Sequence, residues 1–208
     1  MKTTMKLSWL SCVLAGVLLS GLSGCASLIV GGAVVGGVVA IDRRTAGAQL
    51  EDEAIELKVA SAVRRDLGDR VHLNATSYNR QVLLSGEAAT AADRERAEKL
   101  AQSQENVKAV VNDLAVMAPS SLSQRSKDIY ITGRVKAAFL DAKDLQFNTV
   151  KVVTERGVVY LMGRVTQREA TRATEITRSI SGVVKVVRVF DVISEDELKR
   201  LSQGPTGK

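Results

Sequence analysis

VLLSGEAATAADRERAEKLAQSQENVKAVVNDLAVM, residues 82–117, has a second version further along the chain: VYLMGRVTQREATRATEITRSISGVVKVVRVFDVI, residues 159–193. The glycines Gly86 and Gly163 lie 77 residues apart and the closing valines 76. Upstream, Val59 matches Val135 and Ala62 matches Ala138. A repeat this long holds a complete small module rather than one turn of a solenoid. Between the copies, residues 118–126 (APSSLSQRS) carry Pro119 and four serines, the composition of a linker.

Both copies predict the same elements. Ile55, Val59, Ala62, Val63 and Leu67 recur at helical spacing, with Gly68 as a stop; Ile131, Val135, Ala138 and Phe139 repeat the pattern. Two strands follow, around 71–77 and 81–85 and again around 149–154 and 158–162. Tyr78-Asn79-Arg80 and Glu155-Arg156-Gly157 supply the turns. Gly86 and Gly163 read as structural glycines where a strand turns under a helix, explained by backbone permissiveness or by close helix–sheet approach. Thr90-x-x-Asp93, an approximate capping box, and Thr166-x-x-Glu169, a better one, then open a second helix in each copy, and Ala170, Ala173, Thr177 and Ile180 mark the inner stripe of the later one. A valine-rich strand closes each copy, at 107–117 and 183–193. The fold class expected is α+β: two tandem αββαβ modules, 51–117 and 127–193, each a three-stranded mixed sheet with two helices on one face burying a single apolar layer.

The amino terminus sets the compartment. Lys2 and Lys6 precede a mostly apolar run from Leu7 to Ser20, 14 residues long and too short for a comfortable membrane span of about 20. Leu22-Ser23-Gly24-Cys25 then reads as a lipoprotein processing site, with residues 1–24 the signal peptide and Cys25 the point of lipid attachment. The group expected there is a covalent N-acyl diacylglycerol, with no other cofactor. Three acyl chains, at about 0.8 kcal/mol per buried CH₂, make an effectively permanent anchor. Cys12 leaves with the signal, so no thiol remains for a disulfide or a metal. Ala26, rather than Asp, follows the cysteine. That favours lipid anchoring at the outer membrane, on the periplasmic side. Residues 25–50 form the lipidated tether. Their uncharged stretch 28–41 (LIVGGAVVGGVVAI) hugs the membrane or associates with itself through Gly32 and Gly36, and Asp42-Arg43-Arg44 begins a polar link. Residues 194–208 read as a flexible tail.

Val82-Leu83-Leu84-Ser85-Gly86 and Val159-Tyr160-Leu161-Met162-Gly163 before the second helix, with Gly182-Val183-Val184-Lys185-Val186 at the last strand, are similar to the BON domain. Two such domains behind a lipid-attachment cysteine resemble the dual-BON outer-membrane lipoproteins. The resemblance implies support of envelope integrity and binding of anionic phospholipid through the second domain. Where that group has Trp near the start of the third helix, this chain has Tyr130, which implies a weaker lipid contact.

Charge agrees with that implication. Residues 51–117 carry nine Lys/Arg and twelve Asp/Glu, net −3, whereas residues 127–193 carry twelve and seven, net +5. An anionic surface attracts the second module and repels the first. With Val135 facing inward, Ile129, Tyr130, Gly133, Ala137 and Leu140 fall on the far side of their helix, flanked by Arg134 and Lys136. These seven residues are the candidate phospholipid-binding set. The same face is open to packing against the other module. The matching positions of copy one, Glu53, Glu56, Ser61 and Arg64, read as an ordinary solvated face.

Other chemistries find little footing. His72, the only histidine, starts a strand with no partner signalled by spacing. Glu51-Asp52-Glu53 reads as acids favoured at a helix start. Gly32 to Gly37 lacks the strand–loop–helix setting and the Lys-Ser/Thr of a phosphate loop. No Ser/His/Asp set or carboxylate pair stands out, so the reading is non-enzymatic with no metal. Aromatics, at 3%, are too few for stacking nucleic acid. A protein-binding adaptor for an envelope partner, meeting it at an open sheet edge, is the second function carried forward.

Overall fold

The computed structural model describes residues 42–202. Cys25, the signal segment, most of the tether and the last six residues lie outside them.

Thr45 Oγ1 accepts the Ala48 amide at 3.1 Å and opens helix α1, Ala46–Leu67. Gly68, at φ 56°, ends it as expected. The start lies five residues before Glu51, so the helix-start account of Glu51-Asp52-Glu53 fails. Asp52 is buried instead. Its carboxylate accepts the backbone amides of Asn79 (2.7 Å) and Arg80 (2.8 Å) and the Ser77 hydroxyl (2.7 Å). Those amides belong to a two-residue turn, with φ of 51° and 67°, joining the antiparallel strands β1, Val71–Tyr78, and β2, Gln81–Ala88. Tyr78 is therefore strand, not turn. The second module repeats the device: Asp128 accepts the amides of Arg156 and Gly157, both at 2.8 Å, at the corresponding hairpin.

Helix α2, Ala91–Gln102, begins at the Thr90 cap, and the chain returns parallel to β2 as two short strands, β3 (Ala109–Asn112) and β4 (Ala115–Val116). The expected single strand breaks at Asp113-Leu114, where Leu114 turns into the core. In the second module α3 (Leu122–Asp141), β5 (Lys151–Glu155), β6 (Val158–Thr166), α4 (Gln167–Arg178) and an unbroken β7 (Lys185–Ile193) follow in order. Ser121 caps α3 inside the stretch read as linker. Residues read as tail form α5, Glu195–Ser202, with Glu197 ion-paired to Arg164 at 2.5 Å.

Gly86 and Gly163 sit within the central strands β2 and β6 rather than at their ends. A Cβ would lie 2.1 Å from the His72 carbonyl oxygen at Gly86 and 2.2 Å from that of Thr149 at Gly163. Positive φ, 116° and 155°, together with close approach of neighbouring backbone rather than of a helix, requires glycine there.

Each sheet carries its two helices on one face, over Val82 and Leu84 in the first module and Val159, Leu161 and Val165 in the second. The opposite faces pack on each other. Tyr78, Leu83, Tyr160, Met162 and Val189 are buried in one cluster between the sheets. The described residues thus form four layers, helices–sheet–sheet–helices, with three apolar seams where a single layer per module was expected. Polar bonds edge the middle seam: Arg156 Nη1 donates to the Gly86 carbonyl (2.8 Å) and to Glu87 (2.9 Å), and Tyr160 donates to Asp113 (2.8 Å).

Candidate functional site

Helix α3 buries Ile131, Val135 and Phe139 against β5 and leaves its far side open. All seven residues proposed from the sequence are exposed on it. Ile129, Tyr130 and Leu140 are 73%, 65% and 62% exposed, so none is buried against the first module. Packing of this face on the other module is thereby ruled out, because the sheets make that contact. Leu122, 80% exposed, joins the same face and was missed by sequence reading, which placed it in the linker. From Leu122 to Leu140 the ridge runs about 27 Å at 1.5 Å per residue.

Cations border the ridge without being neutralised. Among the described residues no carboxylate pairs with Lys127, Arg134 or Lys136; Arg134 lies over the Tyr130 ring, 5.9 Å from its centroid. Exposed cations thus lie beside exposed apolar side chains along the ridge. The contrast with α1 differs from expectation. Leu50 and Leu57 stand 68% and 70% exposed there, so the outer face of α1 is not simply polar. Glu56 and Lys58 of α1 are engaged, with Lys151 (2.8 Å) and Glu105 (3.4 Å), whereas Arg64 and Arg65 pair with no carboxylate among the described residues.

The end of the tether is gripped at two points. Arg43 places both guanidinium nitrogens on Glu169, each at 2.7 Å, and also donates to the Arg164 carbonyl at 2.8 Å. Glu169 is the N3 residue of the α4 capping box and accepts the Thr166 amide at 2.9 Å as well. Arg44 turns to the first module, pairing with Asp52 (2.8 Å) and Asp42 (2.7 Å) and stacking 4.1 Å from the centre of Tyr78. Burial acts to raise the Glu169 and Asp52 carboxyls, but their donors outweigh it and hold both below the ordinary range. Sequence reading took Asp42-Arg43-Arg44 for a polar link. Their partners lie up to 126 residues away, beyond any local pattern.

This clasp puts the tether root beside the ridge. Asp42 and Arg44 line a groove of about 470 Å³ together with Lys136, Ala137, Leu140 and Phe147. His72 sits on the edge strand β1, as expected of it, but does have a carboxylate partner: Nδ1 is 2.9 Å from Glu87, which also holds Arg156 and Ser120. That cluster edges the seam between modules, away from the groove.

Comparison with known proteins agrees with the architecture. The BON domain family matches residues 51–118 and 127–194. Outer membrane lipoprotein DolP of Haemophilus influenzae is 41% identical over 172 residues, 81% of this chain and 89% of that one. A 21 kDa hemolysin of Actinobacillus pleuropneumoniae is 34% identical over 74% of this chain and 80% of its own length. Among solved structures CdsD, a structural protein of the type III secretion system of Chlamydia trachomatis, aligns over 73% of this chain and 98% of that one. Its 12% identity and TM-score of 0.30 are too loose to bear on the reading. With both modules matched and a close relative covered almost end to end, the chain belongs to the dual BON-domain family of DolP-like outer-membrane lipoproteins.

Proposed function

We propose that this outer-membrane lipoprotein acts without catalysis, as a binder of anionic phospholipid on the periplasmic side that supports envelope integrity. Acyl chains on Cys25 hold it at the bilayer, and the α3 ridge takes the headgroups. The observation that carries this reading is the ridge itself: Ile129, Tyr130 and Leu140 exposed between unpaired cations, with the tether root lining the groove at its end.

The magnitudes suit a tethered contact. Each cation near an anionic surface contributes roughly 1 kcal/mol, so Lys127, Arg134 and Lys136 together give weak binding for a free protein. Asp42 lies 17 positions after Cys25. Anchoring at Cys25 keeps the ridge close to the bilayer and raises the effective concentration of lipid there. Weak contacts then suffice. The net −3 of the first module turns it away from the same surface.

The test is flotation of the processed chain, with Cys25→Ser to remove the anchor, on phosphatidylglycerol vesicles at low ionic strength. The whole chain is needed, because the second module alone would expose the seam residues Tyr160, Met162 and Val189. Wild type should float and Tyr130→Glu should not; equal flotation of the two would discard the ridge. Photocrosslinking from position 130 in cells checks the adaptor reading, since one dominant protein adduct there would replace lipid by a protein partner.

A further inference from the structure

A second groove, about 920 Å³, opens at the tether root with Arg43 and Arg44 on one wall. The loop after α3 divides it from the groove at the ridge: Lys143 to Gln146 line this one, whereas Phe147 and Asn148 line the other. Its apolar lining is Leu145, buried, with Leu198 and Leu201 from α5. That helix is held in place by the Glu197–Arg164 pair and by Ser194, whose Oγ accepts the Glu197 amide at 3.1 Å.

The charge left over in this groove is positive. Its three acids are all engaged, Glu169 by Arg43, Asp42 by Arg44, and Asp144 by Arg172 at 2.8 Å. Lys143 and Arg200 pair with no carboxylate among the described residues, and Arg168 donates to the Asp144 carbonyl at 3.3 Å. Apolar lining beneath a cationic rim complements a molecule with an anionic head and a hydrocarbon base. The bilayer holding the Cys25 anchor supplies such molecules, 17 residues from Asp42.

We infer that this groove is a second anionic-phospholipid site, seating a phosphodiester among Lys143, Arg168 and Arg200 with the glycerol and first acyl carbons over Leu145, Leu198 and Leu201. The inference rests on the bilayer contact proposed above and deepens it. One contact at the ridge leaves the protein free to rock. A second one across the tether root fixes its tilt, and it gives the carboxyl-terminal helix a task.

Tryptophan reporters separate the two sites. The single tryptophan, Trp9, lies in the signal segment, so a tryptophan introduced into the processed chain reports alone. With vesicles containing brominated phosphatidylglycerol, Leu201→Trp and Tyr130→Trp should both be quenched. Adding Lys143→Gln and Arg200→Gln should abolish quenching at 201, preserve it at 130, and weaken vesicle binding about tenfold or more, given two cations lost at the surface. Arg178→Gln with Lys185→Gln makes the same charge change at the far ends of α4 and β7 and should weaken binding less. Quenching at 130 without quenching at 201, or equal losses from the two double variants, overturns the groove and leaves the ridge standing. Silence at both positions overturns both.

Discussion

Arg43 and Glu169 meet as a two-pronged ion pair, buried to 3% and 4% side-chain exposure, across 126 positions of sequence. Removing one member leaves the other buried without its charge partner. Such losses cost about 3–5 kcal/mol, whereas exposed pairs are worth under about 1 kcal/mol. Arg43→Ala should therefore lower the urea midpoint strongly, and Arg96→Ala, whose pair with Asp66 is exposed, should barely move it. Equal shifts would mean that the clasp contributes nothing beyond a surface contact.

Acid should unfold the protein from a specific set of carboxylates. Burial acts to raise Asp52, Glu87 and Glu169, but hydrogen bonds prevail and leave each below its ordinary 3.8 or 4.5. A depressed folded pKa stabilises the native state above the unfolded value, and that contribution drains away as pH falls through the folded one. Thermal melts should be level from about pH 7 to 5.5 on this account and fall steeply below about 4.5. Glu169→Gln should be less stable at neutral pH and show a shallower acid slope. An unchanged slope would take Glu169 out of the set.

Glycines at opposite kinds of site should respond with opposite signs. At Gly163, φ is +155° and a Cβ would meet the Thr149 carbonyl oxygen at 2.2 Å, so Gly163→Ala must displace the turn that leads into β5 and should abolish cooperative folding. Gly133 lies on the exposed ridge with nothing within 4 Å of such a Cβ. Gly133→Ala should add about 0.8–1 kcal/mol of stability through helix propensity, read as a raised melting temperature.

What could be read from the sequence follows from the range of each interaction. Ile55, Val59 and Val63 recur at helical spacing, and Thr166 caps three residues away, so helices and module order were open to inspection. The seam between sheets was not foreseen, although a signal for it exists. Val82-Leu83-Leu84 and Val159-Tyr160-Leu161-Met162 are continuous apolar runs, the mark of a strand covered on both faces rather than one. The ridge residues were found because 3.6-residue periodicity is local, and Leu122 escaped only because its helix starts within a serine-rich stretch. Arg43 and Arg44 had no such local mark. A guanidinium that reaches a carboxylate through the fold leaves no spacing in the chain.

The two sheets share one buried apolar seam. Tyr160, Met162 and Val189 meet Tyr78 and Leu83 across it, and Arg156 bonds over its edge to Gly86 and Glu87. Two modules sharing so dry a surface should unfold together, in one urea transition reported alike by circular dichroism and by tyrosine fluorescence. Met162→Asp places an unpaired carboxylate in the seam, where burial of a charge costs several kcal/mol, so the sheets should part before either module melts. Two transitions, with binding of a hydrophobic dye between them, are the expected result. A single transition displaced to lower urea would instead mean that neither module holds its fold without the other, and the pair would then be one domain built from a duplicated sequence.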